Sequence, residues 1–380
     1  MINLVLMPES FICGMAASKR VGNFIPHLLN KNNFRLTNIV LSSNKFDTKK
    51  TPYTQIKQLS LQEINPFIQI VRVNKILRNL FSKQYKNVIY YYGYPDIFNI
   101  IYLIAAKRKG YKIVFDIVEN NFVINKFNSL KTKLRTSTSR LFFKHLNKIA
   151  DGVICISTQL ELMIRETIVS YIPILYLPIT INKKNFPQSQ EKVNSSRPVK
   201  IFYGGSYGAK DGLNFLLDAF DIVANEYNVE LILSGKGNLK DENRMKNDIT
   251  HLKHKGKIKL LGYLSDEEYY KMINSVDIHC MTRIASAYAN FGFPFKLGEM
   301  LASGKPVIVT KVGDVEKFVY PNTAVLIEPE SVEAIAEALK FLINYPEAAH
   351  KIGSAGRECA FINFEVEKHA GSLTQFLEDI

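Results

Sequence analysis

One alternation runs the length of this 380-residue chain and restricts its fold more than any other feature. Short β-rich runs are separated by longer stretches of helical periodicity. That order builds parallel sheets whose strands are joined by crossover helices. In the first half the expected strands are Leu4–Met7, Thr37–Leu41, Val88–Tyr92, Lys112–Asp116, Gly152–Ile156 and Ile174–Leu177. Helical patterns fall between them, as at Phe24–Asn30, Ile97–Lys107 and Thr158–Glu166. The stretch Asn182–Ser196 is polar and weakly patterned, which predicts a linker. The rhythm then restarts with Val199–Tyr203, Glu230–Leu233, Ile258–Leu261, Val276–Met281 and Pro306–Thr310. A chain of this length exceeds one hydrophobic core, so two α/β domains are expected. They cover residues 1–190 and 197–363, and a terminal helix over 364–380 packs back on the first domain.

Charge separates the two halves. Residues 1–195 hold 28 Lys and Arg against 10 Asp and Glu, whereas the remainder holds 21 against 25. The basic half is therefore expected to meet something anionic. Its densest stretch carries Lys126, Lys131, Lys133, Arg135, Arg140, Lys144 and Lys148 among Leu130, Leu134, Leu141, Phe142 and Phe143. This spacing fits an amphipathic basic helix that lies on an anionic membrane surface; a solvated outer helix face is the alternative. No nucleic-acid module accompanies the charge, so nucleic acid is not an expected partner. No apolar run reaches the roughly 18 residues that span a bilayer. Ile2–Met7 reads as a buried strand and not as a secretion signal. Cys13, Cys155, Cys280 and Cys359 lack metal or redox spacing and read as buried residues of a reducing, cytoplasmic protein.

Two constellations can carry chemistry. After Val199–Tyr203 comes the turn Gly204-Gly205-Ser206-Tyr207-Gly208-Ala209-Lys210, followed by a helix with Leu213, Leu216, Leu217, Phe220 and Val223 on one face. Glycines ahead of a helix suit a phosphate, and Lys210 adds a point charge; a plain strand-to-helix turn is the alternative. The second constellation spans Gly292 to Ile308. Lys296 and Glu299 lie three apart at a helix start and so share a face. The carboxylate can accept bonds from a vicinal diol, and the lysine can reach phosphate.

The run Phe293-Pro294-Phe295-Lys296-Leu297-Gly298-Glu299-Met300-Leu301-Ala302-Ser303-Gly304-Lys305-Pro306 resembles the signature of group 1 glycosyltransferases, in the branch with a Pro-x-Lys-x-x-Glu core. Gly205 through Gly212, Ser234-Gly235-Lys236-Gly237, Gly262-Tyr263-Leu264, Ala150 through Ser157 and Gly313-Asp314-Val315-Glu316 follow in family order. The resemblance implies two Rossmann-like, doubly wound domains facing across a cleft, the GT-B type. It also implies retaining, metal-independent sugar transfer, with no cofactor beyond the nucleotide-sugar co-substrate. The expected donor is a nucleoside diphosphate sugar, UDP-linked, and the acceptor a glycan or lipid-linked saccharide of cell-surface polysaccharide synthesis.

Carried over residue by residue, Glu299 holds the donor ribose, Lys210 neutralises the diphosphate and Lys296 assists. Gly14 lets the backbone approach the diphosphate from the first domain. Gly205, Ser206, Gly235, Asn290, Phe291 and Leu297 complete the expected donor site. Two departures stand out. Phe291 occupies the place of a family Glu, leaving Asn290 or Lys296 to meet sugar hydroxyls, and Ser206 occupies that of a family Arg. On the acceptor side, Asp116 and Glu119 lie just past a strand's carboxyl end, where α/β clefts form; helix capping or solvent exposure is the alternative. Tyr91, Tyr92 and Tyr94 can stack on a sugar or pack in the core, and His27, His145 and His279 read as structural. The rival readings are an epimerase or phosphorylase on the same fold, a catalytically silent partner subunit, and a nucleic-acid binder.

Overall fold

The computed structural model describes residues 1–9, 16–31, 33–41, 56–61, 65–120, 137, 141–168, 170–187 and 197–380. The chain divides into two compact units. The first comprises Met1–Thr180 with Val366–Ile380, and the second Ile181–Glu365. The division therefore precedes the polar stretch expected to link the domains. Backbone bonding is the reason: the Ile181 N–H donates to the Phe364 carbonyl at 2.8 Å, which ties this start to the end of the helix Pro346–Phe364.

Among the described residues of the first unit, seven strands form one sheet: β1 (Ile2–Met7), β2 (Phe34–Leu41), β3 (Lys57–Leu61), β4 (Lys86–Tyr92), β5 (Lys112–Ile117), β6 (Gly152–Cys155) and β7 (Ile174–Tyr176). Their order is β3-β2-β1-β4-β5-β6-β7. Every neighbouring pair is parallel. The order reverses beside β1, so the sheet is doubly wound. β1 is buried along its whole length, as its apolar run Leu4–Met7 requires of a central parallel strand, and buried Asn3 donates to the Leu80 carbonyl and Asn87 Oδ1. The helix Val366–Asp379 adds Val366, Ala370, Leu373 and Leu377, at helical spacing, to this unit's core.

Residues 126–136 and 138–140 of the expected membrane-surface helix, Arg140 among them, lie outside the described residues. Within the described part, Phe142 and Phe143 are buried, packed against Tyr94, with Phe142 also on Phe115. These two rings are core and not a membrane-facing stripe. Tyr91 is buried as well and accepts a bond from Asn99 Nδ2 at 2.8 Å. No described helix is long and apolar enough to cross a membrane.

The second unit repeats the plan with β8 (Val199–Ser206), β9 (Val229–Lys236), β10 (Ile258–Gly262), β11 (Ile278–Met281), β12 (Val307–Thr310) and β13 (Val325–Ile327). The order is β10-β9-β8-β11-β12-β13, again parallel throughout. The helix Leu213–Val223 buries all five residues of its expected face, each worth roughly 1.5–3 kcal/mol of apolar burial. Across from it, Ile335, Leu339 and Leu342 of the helix Val332–Asn344 join the same core. β8 extends beyond the expected strand, because Gly204, Gly205 and Ser206 remain paired with Ser234, Gly235 and Lys236 of β9. Free Cys155, Cys280 and Cys359 are buried, and Cys13 lies outside the described residues.

Candidate functional site

Because all six strands of the second sheet run the same way, their carboxyl ends share one edge. The strand order reverses between β8 and β11, and ligands of open α/β sheets bind in the crevice outside such a point. Two glycines shape this edge. Gly235 has φ +148, and a Cβ there would lie 1.7 Å from the Gly205 carbonyl oxygen. Gly212 has φ +63, and a Cβ there would lie 2.0 Å from the Thr282 carbonyl oxygen. Neither position accepts a side chain. The resulting close backbone approach brings the ends of β8, β9 and β11 together.

Lys210 lies in the single 3-10 turn Ala209–Asp211, ahead of the helix Leu213–Val223, which no side chain caps at its start. The turn is anchored at several points. Tyr203 Oη donates to the Ser206 carbonyl at 2.5 Å, and the Ser206 hydroxyl donates to the Asp211 carboxylate. Thr282 Oγ1 donates to the carbonyls of Asp211 and Gly212, each at 3.3 Å, and the Ile284 N–H to that of Lys210 at 3.0 Å. Lys210 thus sits on a backbone held by β11's continuation and not on a loose loop.

Glu299 belongs to the short helix Leu297–Ala302 and is only 6% exposed. Tyr270 Oη donates to its Oε1 at 2.9 Å. Burial, then the neighbouring Glu299 carboxylate, raises the phenol of Tyr269 well above its ordinary value, so this ring stays protonated beside it. Lys296 Nζ stands 4.2 Å from the Tyr269 ring centre, a cation–π contact. A Cβ on Gly204 would come within 3.2 Å of Tyr269, so this ring lies against β8. Tyr269 and Tyr270, from the helix Asp266–Ser275, therefore position both charged residues of the Lys-x-x-Glu pair. Sequence reasoning missed them; an adjacent tyrosine pair on a surface-patterned helix signals nothing by itself.

The remaining expected donor residues fare differently. Asn290 and Phe291 end the short helix Ala287–Phe291, and a Cβ on Gly313 would lie 3.0 Å from the Asn290 carbonyl. That contact brings the loop after β12 to their backbone. Leu297 is fully buried and gives its N–H to the Pro294 carbonyl at 3.0 Å, so it offers a ligand neither side chain nor donor. Gly14 lies outside the described residues. His279 is structural: its Nε2 is 3.0 Å from the Ile273 carbonyl and 3.1 Å from Ser303 Oγ, and burial pushes its imidazole down to about 3.

Asp116, in the first unit, is a correction. Its carboxylate is fully buried and accepts bonds from Arg20 Nε at 2.7 Å, Arg20 Nη2 at 2.9 Å and Tyr90 Oη at 2.6 Å. Arg20 also donates to the carbonyls of Leu177 and Pro178. This network joins the helix Ala16–Gly22, β4, β5 and the segment after β7, and it leaves Asp116 nothing to offer an acceptor. Glu119 is half-buried past the end of β5, and its carbonyl accepts from Tyr94 Oη. Among the described residues no group of three or more His, Cys, Asp or Glu could hold a metal ion.

Residues 185–359, nearly the whole second unit, match the family of group 1 glycosyl transferases. The chain carries a group 1 glycosyltransferase domain. An uncharacterised glycosyltransferase of Methanocaldococcus jannaschii is 26% identical over 58% of this chain and 57% of its own length. The capsular polysaccharide biosynthesis glycosyltransferase CapM of Staphylococcus aureus is 27% identical over 42% of this chain and 40% of its own length. The match thus spans just over half of one curated relative and less of the other. Among solved structures, HepE of Anabaena in complex with UDP-glucose superposes with a TM-score of 0.77 at 16% identity, covering 100% of both chains. That likeness shows the fold, GT-B. In the group 1 domain of this chain, the Lys-x-x-Glu pair and the glycine turn both open onto the carboxyl edge of the sheet. The Ser206 and Phe291 departures lie on that same edge.

Proposed function

We propose that this protein is a retaining glycosyltransferase. It moves a sugar from a nucleoside diphosphate donor, UDP-linked, to a glycan or lipid-linked saccharide of cell-surface polysaccharide synthesis. One observation carries the reading: the carboxyl edge of the second sheet combines an anchored glycine turn bearing Lys210 with a buried, Tyr270-held Glu299. A carboxylate held this way suits the ribose diol of a nucleotide, and a lysine over tightly packed backbone suits a diphosphate. Stabilising the negative charge of the leaving diphosphate lowers the barrier to transfer. Lys210 and Lys296 supply that positive charge in place of a resident metal, so treatment with EDTA should leave activity unchanged. No carboxylate nucleophile is invoked: the acceptor attacks the face the diphosphate leaves, and a donor phosphate oxygen takes the acceptor proton. The HepE complex with UDP-glucose supports the donor class, and the likeness to CapM supports polysaccharide synthesis.

Thermal unfolding against UDP, GDP, ADP and CMP tests the donor site, with Lys210→Ala and Glu299→Ala alongside. A nucleotide at a hundred times its dissociation constant adds about 2.7 kcal/mol, a shift of several degrees for domains of this size. The expected result is a shift with UDP that both variants lose. No shift with any nucleotide overturns the reading, and a product of inverted anomeric configuration by NMR overturns retention.

A further inference from the structure

Arg283 is a largely buried cation whose partner in the fold is one long ion pair, to Asp211. It lies two residues past β11, on the same edge as the glycine turn. Its backbone is held from both sides: its carbonyl accepts from Thr310 Oγ1 at 2.8 Å, and the next residue's N–H bonds the Lys210 carbonyl. The residue is 8% exposed, and its Nε and Nη1 have no hydrogen-bond partner among the described residues. Asp211 Oδ1 stands 3.8 Å from Nε, too far for a bond, and the other oxygen of Asp211 is taken by Ser206. A guanidinium with two buried nitrogens lacking acceptors and only a long ion pair is costly, and such groups are rare in folded proteins unless a ligand completes them.

We propose that Arg283 is a donor-binding residue that grips the diphosphate of the sugar nucleotide, together with Lys210. The inference rests on the donor reading above and deepens it. Three observations converge. The residue flanks the crevice between β8 and β11, where the strand order reverses. Its neighbour Ile284 is bonded to the very residue that carries the other cation. Its planar fork of donors matches phosphate oxygens in pairs, which a lysine cannot do. The turn itself presents a neutral hydroxyl at Ser206, so the second positive charge arrives from the adjacent strand.

Calorimetric titration of UDP, GDP, ADP and the matching nucleosides into the full chain tests this, with Arg283→Met and the double variant Ser206→Arg/Arg283→Met. Arg283→Met should bind the diphosphate about 10–100-fold more weakly while nucleoside affinity stays within twofold. Its melting temperature without ligand should stay close to the parent's, since two unbonded buried nitrogens are removed at the cost of one long ion pair to Asp211. Ser206→Arg should restore at least part of the lost diphosphate affinity. A parent that binds none of the diphosphates sinks the donor reading and this proposal with it. A parent that binds, with Arg283→Met equally tight, sinks this proposal alone. So does a variant that melts lower and loses nucleoside and diphosphate alike, because Arg283 would then only hold the turn. If the Met variant fails to fold, Arg283→Lys decides. That variant keeps the charge but not the fork, and diphosphate binding unchanged from the parent refutes the paired contact.

Discussion

Replacing Asp116 by Asn separates a structural ion pair from an acceptor-binding carboxylate. The exchange keeps the side chain's shape and removes its charge, leaving the Arg20 guanidinium buried without a counter-ion. Both side chains are fully buried, and two bonds of 2.7 and 2.9 Å join them. Breaking such a pair from one side costs about 3–5 kcal/mol. In a unit of this size each kcal/mol moves the melting temperature by about 2–4 °C, so a fall on the order of 10 °C is expected. The apolar double variant Arg20→Met/Asp116→Leu should recover much of the loss, since well-packed apolar residues often replace a buried pair without penalty. It should not recover all of it. The carbonyls of Leu177 and Pro178 lose their Arg20 donor, and unpaired buried carbonyls cost about 1–3 kcal/mol. Urea unfolding followed by circular dichroism gives the stabilities, and transfer per folded molecule gives the activity. An Asn variant within about 1 kcal/mol of the parent that has nonetheless lost transfer, with donor binding intact, would refute the structural assignment.

Three further outcomes are expected. Gly235→Ala should destabilise the second unit and abolish nucleotide binding, because its Cβ would meet the Gly205 carbonyl at 1.7 Å; Gly371→Ala, on a helix with open space around it, should be neutral or slightly stabilising by thermal unfolding. Tyr270→Phe removes the donor to Glu299, so affinity for UDP and for uridine should fall together, by about tenfold in calorimetry; this contrasts with the diphosphate-specific loss at Arg283. For His279, burial lowers the folded imidazole from 6.5 to about 3, so between these values only the unfolded chain takes up the proton. Stability therefore falls as pH drops below 6.5, by about 1.4 kcal/mol per pH unit, and His279→Gln should flatten that slope in urea unfolding between pH 6 and 4.5.

Local pattern was enough for eleven of the strands and their order, but not for the short edge strands β3 and β13, which were not expected. Apolar spacing in residues 213–223 marks a helix face that is buried residue for residue, and the run Ile2–Met7 marks a central strand. The Lys-x-x-Glu pair and the glycine turn were also legible, because helix phase and glycine's backbone freedom act over a few residues. Pairing across the chain was not. Nothing near Asp116 announces Arg20, 96 positions earlier, so a carboxylate at a strand end reads as a ligand until its partner is seen. Phe142 and Phe143 look like a membrane stripe until Tyr94 and Phe115 cover them. Arg283 reads as one basic residue among many, and only the strand order places it beside the Lys210 turn. Most strands and helices could be read from the chain alone, since periodicity is local, whereas short edge strands owe their place to the neighbour they pair with. The tertiary structure alone decided which charges are satisfied within the fold and which remain for a ligand, because burial and ion pairing depend on residues far apart in the chain.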